Sequence, residues 1–306
     1  MANFPPSPTH TISGPVLYHW RKQAQAQAIA AEVPVVEVDW LLQALTDLDR
    51  LALRLETFQT KPEITLACSP ADLDQLWQRR LQQRIPVQYL AGCVPWRQFS
   101  LTVSPAVLIP RPETELLIDL VLAAVEQPAC SELRQGHWAD LGTGSGAIAL
   151  GLADAFPQAR IHAVETSAAA LAIAQQNAQQ FGMASRIQFY QGSWFAPLQH
   201  LRGQLSGMVS NPPYIPRSQI SDLQPEVAQH EPQLALDGGE DGLDCVRQLI
   251  SDAPTYLQSG GIWLVELMAG QAKTVATLLQ AQGDYQSIAI HPDLAGVERF
   301  VLAYRR

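Results

Sequence analysis

The sequence is poor in basic side chains and has no cluster of them. Only 20 of its 306 residues are Lys or Arg, against 29 Asp or Glu, and the formal net charge is −9. The acidic excess lies after residue 100, because the first hundred residues carry nine basic and nine acidic side chains. Binding to a phosphate backbone needs clustered Lys and Arg. The composition therefore argues against direct nucleic-acid binding.

Metal-binding and disulfide patterns are also missing. The four cysteines are far apart and form no CxxC pair, and the seven histidines follow no HExxH or other metal-ligand spacing. We therefore expect no metal and a reducing, cytoplasmic environment. The first fifteen residues lack the apolar core of a signal peptide, and no run of eighteen apolar residues occurs. Neither a secretory leader nor a membrane span is predicted.

Hydrophobic residues make up 47% of the chain, and their pattern divides it into four parts. Residues 1–14 are rich in Pro, Ser and Thr and are predicted to form a flexible tail. At 15–85, apolar residues recur at spacings of three and four with prolines in the gaps, which predicts a small helical domain. Alternating apolar and polar residues predict a β-hairpin within a linker at 86–112. The remainder, 113–306, is predicted to be a second domain.

Short apolar strands alternate with helical patterns throughout this second domain. Such alternation produces right-handed crossovers and a parallel sheet. The last two predicted strands, 287–291 and 299–304, are separated by too few residues for a helical crossover, so they must be antiparallel to each other. The predicted fold is therefore α/β, with a doubly wound, mostly parallel sheet and an antiparallel edge.

A glycine-rich loop follows the first strand of this domain and precedes a helix. Its candidate ligand-binding residues are Asp140, Gly142, Thr143, Gly144, Ser145 and Gly146. Glycines let the backbone approach a ligand closely, and the helix start offers free N–H groups. Glu165, at the end of the next strand, can accept hydrogen bonds from two ribose hydroxyls. The GxGxG spacing differs from the dinucleotide fingerprint, but S-adenosylmethionine and NAD both carry an adenosine ribose, so the loop alone leaves the ligand open.

The tetrapeptide Asn211-Pro212-Pro213-Tyr214 follows another short strand, and hence lies at the same rim of the sheet as the loop. The two prolines stiffen its backbone. The Asn211 side-chain oxygen and the Pro212 carbonyl can accept both N–H bonds of a planar –NH₂ group, while Tyr214 stacks on it. Acceptors that strengthen as positive charge builds on the nitrogen favour its attack on an electrophilic methyl group. These residues predict N-methylation of an amide or aromatic amine, with no metal required.

With these motifs, the chain after residue 35 resembles the class I S-adenosylmethionine-dependent methyltransferases, and more narrowly the bacterial release factor glutamine methyltransferases. The matching segments are 38–42, 86–92, 109–115, 140–146, 210–215, 231–239 and 293–299. The resemblance implies a seven-stranded sheet, and S-adenosylmethionine held by the glycine loop, Glu165, Trp194 and Asn211. It also implies, as substrate, the glutamine of the Gly-Gly-Gln motif of class I peptide chain release factors. The substrate amide would be held by residues 211–214, and the helical domain would help to bind the release factor.

Several positions depart from the family pattern or stay open. Glu165 stands where Asp is commoner, and Ser193 replaces an Asp that would accept from the adenine amino group. Arg111 is a further candidate for contact with the substrate, although a Pro-flanked arginine also suits a purely structural role. The motifs alone leave open a glutamine methyltransferase acting on a ribosomal protein, a DNA N6-adenine methyltransferase, an NAD-dependent oxidoreductase and a non-catalytic S-adenosylmethionine-binding module.

Overall fold

The structure, a computed structural model, describes residues 10–126 and 128–306, without the side chains of residues 128–130. In chain order, its helices are α1 (Gly14–Ala30), α2 (Val36–Leu45), α3 (Arg50–Arg54), α4 (Pro70–Gln83), α5 (Val87–Ala91), α6 (Leu116–Val125), α7 (Ala147–Ala155), α8 (Ala168–Gln180), α9 (Pro225–His230), α10 (Asp244–Tyr256) and α11 (Ala272–Gln282). Its strands are β1 (His10–Ile12), β2 (Ile64–Leu66), β3 (Cys93–Trp96), β4 (Phe99–Thr102), β5 (His137–Leu141), β6 (Arg160–Glu165), β7 (Ile187–Gln191), β8 (Leu205–Ser210), β9 (Leu257–Glu266), β10 (Tyr285–Pro292) and β11 (Glu298–Arg305). Among these helices, none is both long and apolar enough to cross a membrane.

The described residues form two compact units. The first comprises the chain up to Cys93 together with Gln224–His230, and the second comprises Val94–Leu223 together with Glu231–Arg306. The first unit is mainly helical, and the second is built around the large sheet.

The predicted flexible tail at 1–14 is wrong for its last five residues, and its first nine lie outside the described residues. Strand β1 pairs antiparallel with β2, and Ile12 is buried. Helix α1 then begins at Gly14, whose amide donates to the Lys61 carbonyl at 2.9 Å. A Cβ atom on Gly14 would lie 2.0 Å from the Phe58 carbonyl oxygen, so only glycine permits this close approach. The three-residue strand is too short to give a clear alternating pattern in the sequence.

The helical unit also includes a segment that the sequence pattern assigns to the second domain. Arg80 is 1% exposed and forms ion pairs with Glu37 at 2.5 Å and with Glu226 at 2.8 Å. Arg84 pairs with the same Glu226 oxygen at 2.8 Å. These charges tie the Gln224–His230 segment to helix α4. Because the partners are more than a hundred residues apart in the sequence, the hydrophobic pattern carries no sign of this contact.

The second unit contains a sheet of seven described strands in the order β10-β11-β9-β8-β5-β6-β7. Strands β5 to β9 are parallel to one another, whereas β11 is antiparallel to both β9 and β10. The predicted doubly wound, mostly parallel sheet with an antiparallel edge is confirmed. Strands β3 and β4 form a separate two-stranded sheet within the predicted linker.

This topology places the carboxyl ends of β5, β6 and β8 side by side. Strand order reverses at β5, since the chain runs outward through β6 and β7 and then returns to β8 on the other side. Ligands of open α/β sheets bind at such a switch point, beyond the carboxyl ends of the strands. The glycine-rich loop follows β5 and the Asn-Pro-Pro-Tyr segment follows β8, so both reach this position.

Candidate active site

A cavity of about 480 Å³ lies at this switch point, within the usual size range of small-molecule sites. Six predicted ligand-binding positions in and around the glycine loop contribute to its wall, together with the first and third residues of the tetrapeptide. The predicted residues that line it are Gly142, Thr143, Gly144, Ser145, Glu165, Trp194, Asn211 and Pro213. The structure therefore brings the two motifs to one cavity. Asp140, Gly146, Arg111, Pro212 and Tyr214 are not among its lining residues.

The glycine loop needs glycine for two different reasons. Gly142, Gly144 and Gly146 all have positive φ angles of 79°, 54° and 84°. A Cβ atom on Gly146 would lie 3.2 Å from the Ala174 backbone, so this glycine permits close packing against helix α8. A Cβ atom on Gly144 would meet no heavy atom within 4 Å. Gly144 thus leaves open space at the cavity wall, where a ligand can approach the backbone.

The Asp140 carboxyl stabilises the conformation of the glycine loop through hydrogen bonds. Its side chain is fully buried, and its Oδ2 atom accepts hydrogen bonds from the Thr143 hydroxyl at 2.5 Å and the Ala149 amide at 2.9 Å. Burial raises the pKa of this carboxyl to about 7. The two bonds join the end of β5, the loop and the first turn of α7. Direct contact between Asp140 and a cofactor stays a prediction, because the carboxyl lies behind the lining residues.

Glu165 lies at the end of β6 and lines the cavity directly. Its two oxygens accept hydrogen bonds from the backbone amides of Gly144 at 3.0 Å and Ser167 at 2.9 Å. A carboxylate has about four acceptor positions, so each oxygen keeps capacity for a further donor. The two amides hold the carboxylate in place, and each oxygen can still accept a hydrogen bond from one of two vicinal hydroxyls of a ligand.

Trp194 lines the same cavity. It is one of the few non-glycine residues with a positive φ angle, 47°, a conformation that costs about 1–3 kcal/mol. Its ring lies 3.6 Å from the place where a Cβ atom on Gly142 would be. The indole therefore packs beside the glycine loop at Gly142, and both residues line the cavity together with Ser193. A flat aromatic surface in this position suits a planar heterocycle.

Asn211 places a carboxamide in the same cavity. Its Nδ2 atom donates to the Thr114 hydroxyl oxygen at 3.2 Å. Its Oδ1 atom is buried and has no hydrogen-bond partner among the described residues. A buried acceptor without a partner costs about 1–3 kcal/mol. A ligand N–H bond would remove this cost, so the atom is a candidate acceptor for a bound amide.

Tyr214 lies behind the cavity wall. Its hydroxyl donates to Glu266 Oε1 at 3.5 Å, and its backbone carbonyl accepts from Gln271 Nε2 at 2.9 Å. Burial raises the pKa of this phenol. Pro212 is also buried, so Asn211 and Pro213 are the members of the tetrapeptide that reach the cavity. Stacking of Tyr214 on a substrate amide stays a prediction.

Arg111 forms an ion pair with a buried carboxylate. Its Nη2 atom lies 2.6 Å from Glu231 Oε1, and the Glu231 side chain is 1% exposed. The other Glu231 oxygen accepts from the Ile109 amide at 3.3 Å. Arg111 thus joins the segment before α6 to the segment after α9. Its predicted role in substrate binding is untested, and its observed partner is a carboxylate of the same unit.

Sequence reasoning did not single out two residues next to Asn211. Thr114 lines the cavity and is 4% exposed, and Glu266 ends strand β9 at 2% exposure. Glu266 could have been found from the rule that functional groups follow parallel strands, since β9 lies beside β8. Thr114 had no such signal, because it lies in a short 3₁₀ helix before α6.

Comparison with known proteins identifies the class. Residues 114–240 match the family model described as methyltransferase small domain. The fold is similar to that of the hMettl16 catalytic domain, with a TM-score of 0.56 at 13% identity over 86% of this chain and 88% of that one. The matching family model and the seven-stranded fold define a methyltransferase.

Curated relatives narrow the class to one family. The chain is 55% identical to the release factor glutamine methyltransferase of Synechocystis sp., over 95% of this chain and 97% of that one. It is 49% identical to the enzyme of the same name from Thermosynechococcus vestitus, over 95% and 99%. The Gloeobacter violaceus relative is 44% identical over 93% and 96%. The chain belongs to the release factor glutamine methyltransferase family, which confirms the resemblance found in the sequence.

Proposed function

We propose that this protein transfers the methyl group of S-adenosylmethionine to the side-chain amide nitrogen of the glutamine in the Gly-Gly-Gln motif of class I peptide chain release factors. The observation that carries this proposal is the Asn211 carboxamide, whose oxygen lacks a partner among the described residues and which shares a cavity with the glycine loop. The names of the relatives supply the substrate class.

The donor groups of the cavity fit S-adenosylmethionine. Glu165 keeps acceptor capacity for the two ribose hydroxyls, Gly144 leaves open space beside the backbone, and Trp194 offers an aromatic surface to the adenine. When bound, S-adenosylmethionine supplies an electrophilic methyl group on a sulfonium. The open side of Gly144 is the observation that favours a ligand here over a tight turn that binds nothing.

The chemical problem is the low nucleophilicity of an amide nitrogen, whose lone pair is delocalised into its carbonyl. Asn211 Oδ1 would accept one N–H bond of the substrate amide and so help to aim the nitrogen at the methyl group, and the Pro212 carbonyl stays the predicted acceptor for the other N–H. Both acceptors gain strength as the nitrogen becomes positive, which favours the transition state over the ground state. Holding the nitrogen and the methyl group in line would increase the rate of methyl transfer by a further large factor. The new N–C bond would form as the bond between the methyl group and the sulfonium sulfur breaks, with that electron pair left on sulfur, and the substrate nitrogen would release one proton to solvent.

We also propose that the helical unit provides a surface that binds the release factor. Several large apolar side chains of this unit are exposed and would be available to such a surface: Val16, Ile29, Val36, Leu51 and Leu55. The substrate is found where translation terminates, so the reaction would take place in the cytoplasm.

The test measures transfer of radiolabelled methyl groups from S-adenosylmethionine to a purified class I release factor. We expect label in the release factor and none in a variant with Gly-Gly-Ala in place of Gly-Gly-Gln. Asn211→Ala should lower transfer at least about a hundredfold while cofactor affinity, measured by calorimetry, changes little. Gln176→Ala, which removes an exposed carboxamide on α8, is the matched control and should transfer normally. Label in both release factors, or instead in duplex DNA or a ribosomal protein, would contradict the assignment.

A further inference from the structure

A chain of polar groups connects Asn211 to the end of strand β9. Asn211 Nδ2 donates to the Thr114 hydroxyl oxygen at 3.2 Å, and the Thr114 side chain also interacts with the Glu266 carboxyl and lowers its pKa. Thr114 and Glu266 are both buried, at 4% and 2% exposure. The register of the parallel strands explains the proximity, because Ser210 pairs with Val265 and the next residues on each strand are Asn211 and Glu266.

The direction of these bonds determines which end of the carboxamide faces Thr114. A threonine hydroxyl has one proton, and once it is donated to a carboxylate only lone pairs remain for a neighbour. A carboxamide beside those lone pairs must present its NH₂ group. The oxygen of the same group then faces away from Thr114, and it is this atom that lacks a partner among the described residues.

We propose that Glu266, acting through Thr114, is a positioning residue that orients the Asn211 carboxamide so that its oxygen receives the substrate N–H. This inference rests on the proposed function. If the carboxamide turned by 180° about its last bond, its NH₂ group would meet the substrate NH₂ group, and two donors would oppose each other. Thr114 and Glu266 would thus act without touching the substrate nitrogen.

The protonation of Glu266 gives this arrangement a pH dependence. Burial raises the pKa of Glu266 to about 7, and Glu113 raises it further, whereas Thr114, Arg299 and Tyr214 lower it. An ionised Glu266 can only accept, and so it fixes the Thr114 proton. A protonated Glu266 can donate to Thr114 and free the Thr114 proton for the Asn211 oxygen. Methyl transfer should therefore fall as the pH decreases through about 7.

The experiment compares four variants in single-turnover methyl transfer to a release factor between pH 6 and 8.5, with cofactor affinity measured in parallel. Thr114→Val should lower kcat about ten- to a hundredfold with little change in cofactor affinity, and Thr114→Ser, which keeps the hydroxyl, should recover most of the loss. Glu266→Gln should be slower than the parent above pH 7 and should lose the acidic limb of the pH profile. Thr277→Val, which removes an exposed hydroxyl on α11, is the matched control and should match the parent.

The results separate this inference from the proposed function. A parent protein that methylates no release factor contradicts the proposed function itself. If the parent is active but Thr114→Val has the same rate, only the positioning role is overturned. The same holds if the acidic limb of the pH profile persists in Glu266→Gln. The second result would point to another buried carboxyl, such as Asp140, as the source of the limb. Thr114→Ser and Glu266→Gln decide the question even where Thr114→Val fails to fold.

Discussion

Removal of the Arg111 guanidinium should destabilise the fold, because it leaves a buried carboxylate without its cation. The Glu231 side chain is 1% exposed, while Arg111 is 34% exposed. Breaking a fully buried pair costs about 3–5 kcal/mol, and exposed pairs contribute about 0–1 kcal/mol. Because Arg111 is partly exposed, we expect a loss between these limits. Arg111→Met should lower the free energy of unfolding by about 2–3 kcal/mol at pH 7. The remaining bond from the Ile109 amide cannot compensate, since it is already present.

The pH dependence of this loss tests its cause. Burial raises the pKa of Glu231, and Arg111 opposes that effect, so the variant should have a still higher folded-state pKa. A carboxyl whose pKa is raised on folding destabilises the protein as the pH rises through that pKa, and the penalty is absent where the group is protonated in both states. The difference between parent and variant should therefore be large at pH 7 and nearly vanish at about pH 4, below the ordinary glutamate pKa.

Urea unfolding of the two proteins at both pH values measures this difference. The matched control is Arg217→Met, which breaks an ion pair with Asp237 at 2.8 Å in which Arg217 is 71% exposed, and which should cost less than about 1 kcal/mol. An equal loss in both variants, or a loss for Arg111→Met that is the same at pH 4 and pH 7, would refute the argument. Reduced methyl transfer with unchanged stability would instead support the predicted contact of Arg111 with substrate.

Three further outcomes follow from buried contacts in the described residues. Asn177→Leu should lower the free energy of unfolding by about 2–4 kcal/mol in urea melts, since it removes three hydrogen bonds of a fully buried carboxamide, including the 2.8 Å bond to the Ser145 carbonyl beside the cavity. Gly207→Ala should cost at least about 1–3 kcal/mol in the same assay, because its Cβ atom would lie 2.3 Å from the buried Trp138 ring. Cys68 should react with iodoacetamide about a hundred times more slowly than an ordinary thiol at pH 8, as mass spectrometry can follow, because burial raises its pKa to about 11.

The parts of the site that could be predicted are those whose functional residues are adjacent in the sequence. The glycine loop and the Asn-Pro-Pro-Tyr segment each contain their own functional groups, and the strand before each one places it at the carboxyl edge of the sheet. Short apolar runs were sufficient to predict that edge, because buried parallel strands are apolar along their length. The antiparallel end of the sheet followed from a connection too short for a helix.

The unpredicted parts depend on contacts between distant residues. Asn211 and Thr114 are 97 positions apart, and Tyr214 and Glu266 are 52 apart. Polar residues at such separations leave no periodic pattern, so nothing in the sequence indicates which of the many carboxylates becomes buried beside which hydroxyl. The same reason explains why the pairing of Arg80 with Glu226 was missed. Tertiary packing, rather than local preference, selects these partners.

The two carboxylates flanking the glycine loop show where motif reasoning needs the structure. Asp140 is the penultimate residue of β5 and Glu165 is the last residue of β6, and the motif alone assigns a ligand to each. Yet Glu165 lines the cavity with acceptor capacity to spare, whereas Asp140 is fully buried and binds the Thr143 hydroxyl and the Ala149 amide. A strand end can project a side chain toward the ligand or beneath the following helix, and the spacing of the motif is the same in both cases. Asp140 therefore maintains the loop conformation, while Glu165 on the neighbouring strand is the carboxylate that is free to meet the proposed cofactor.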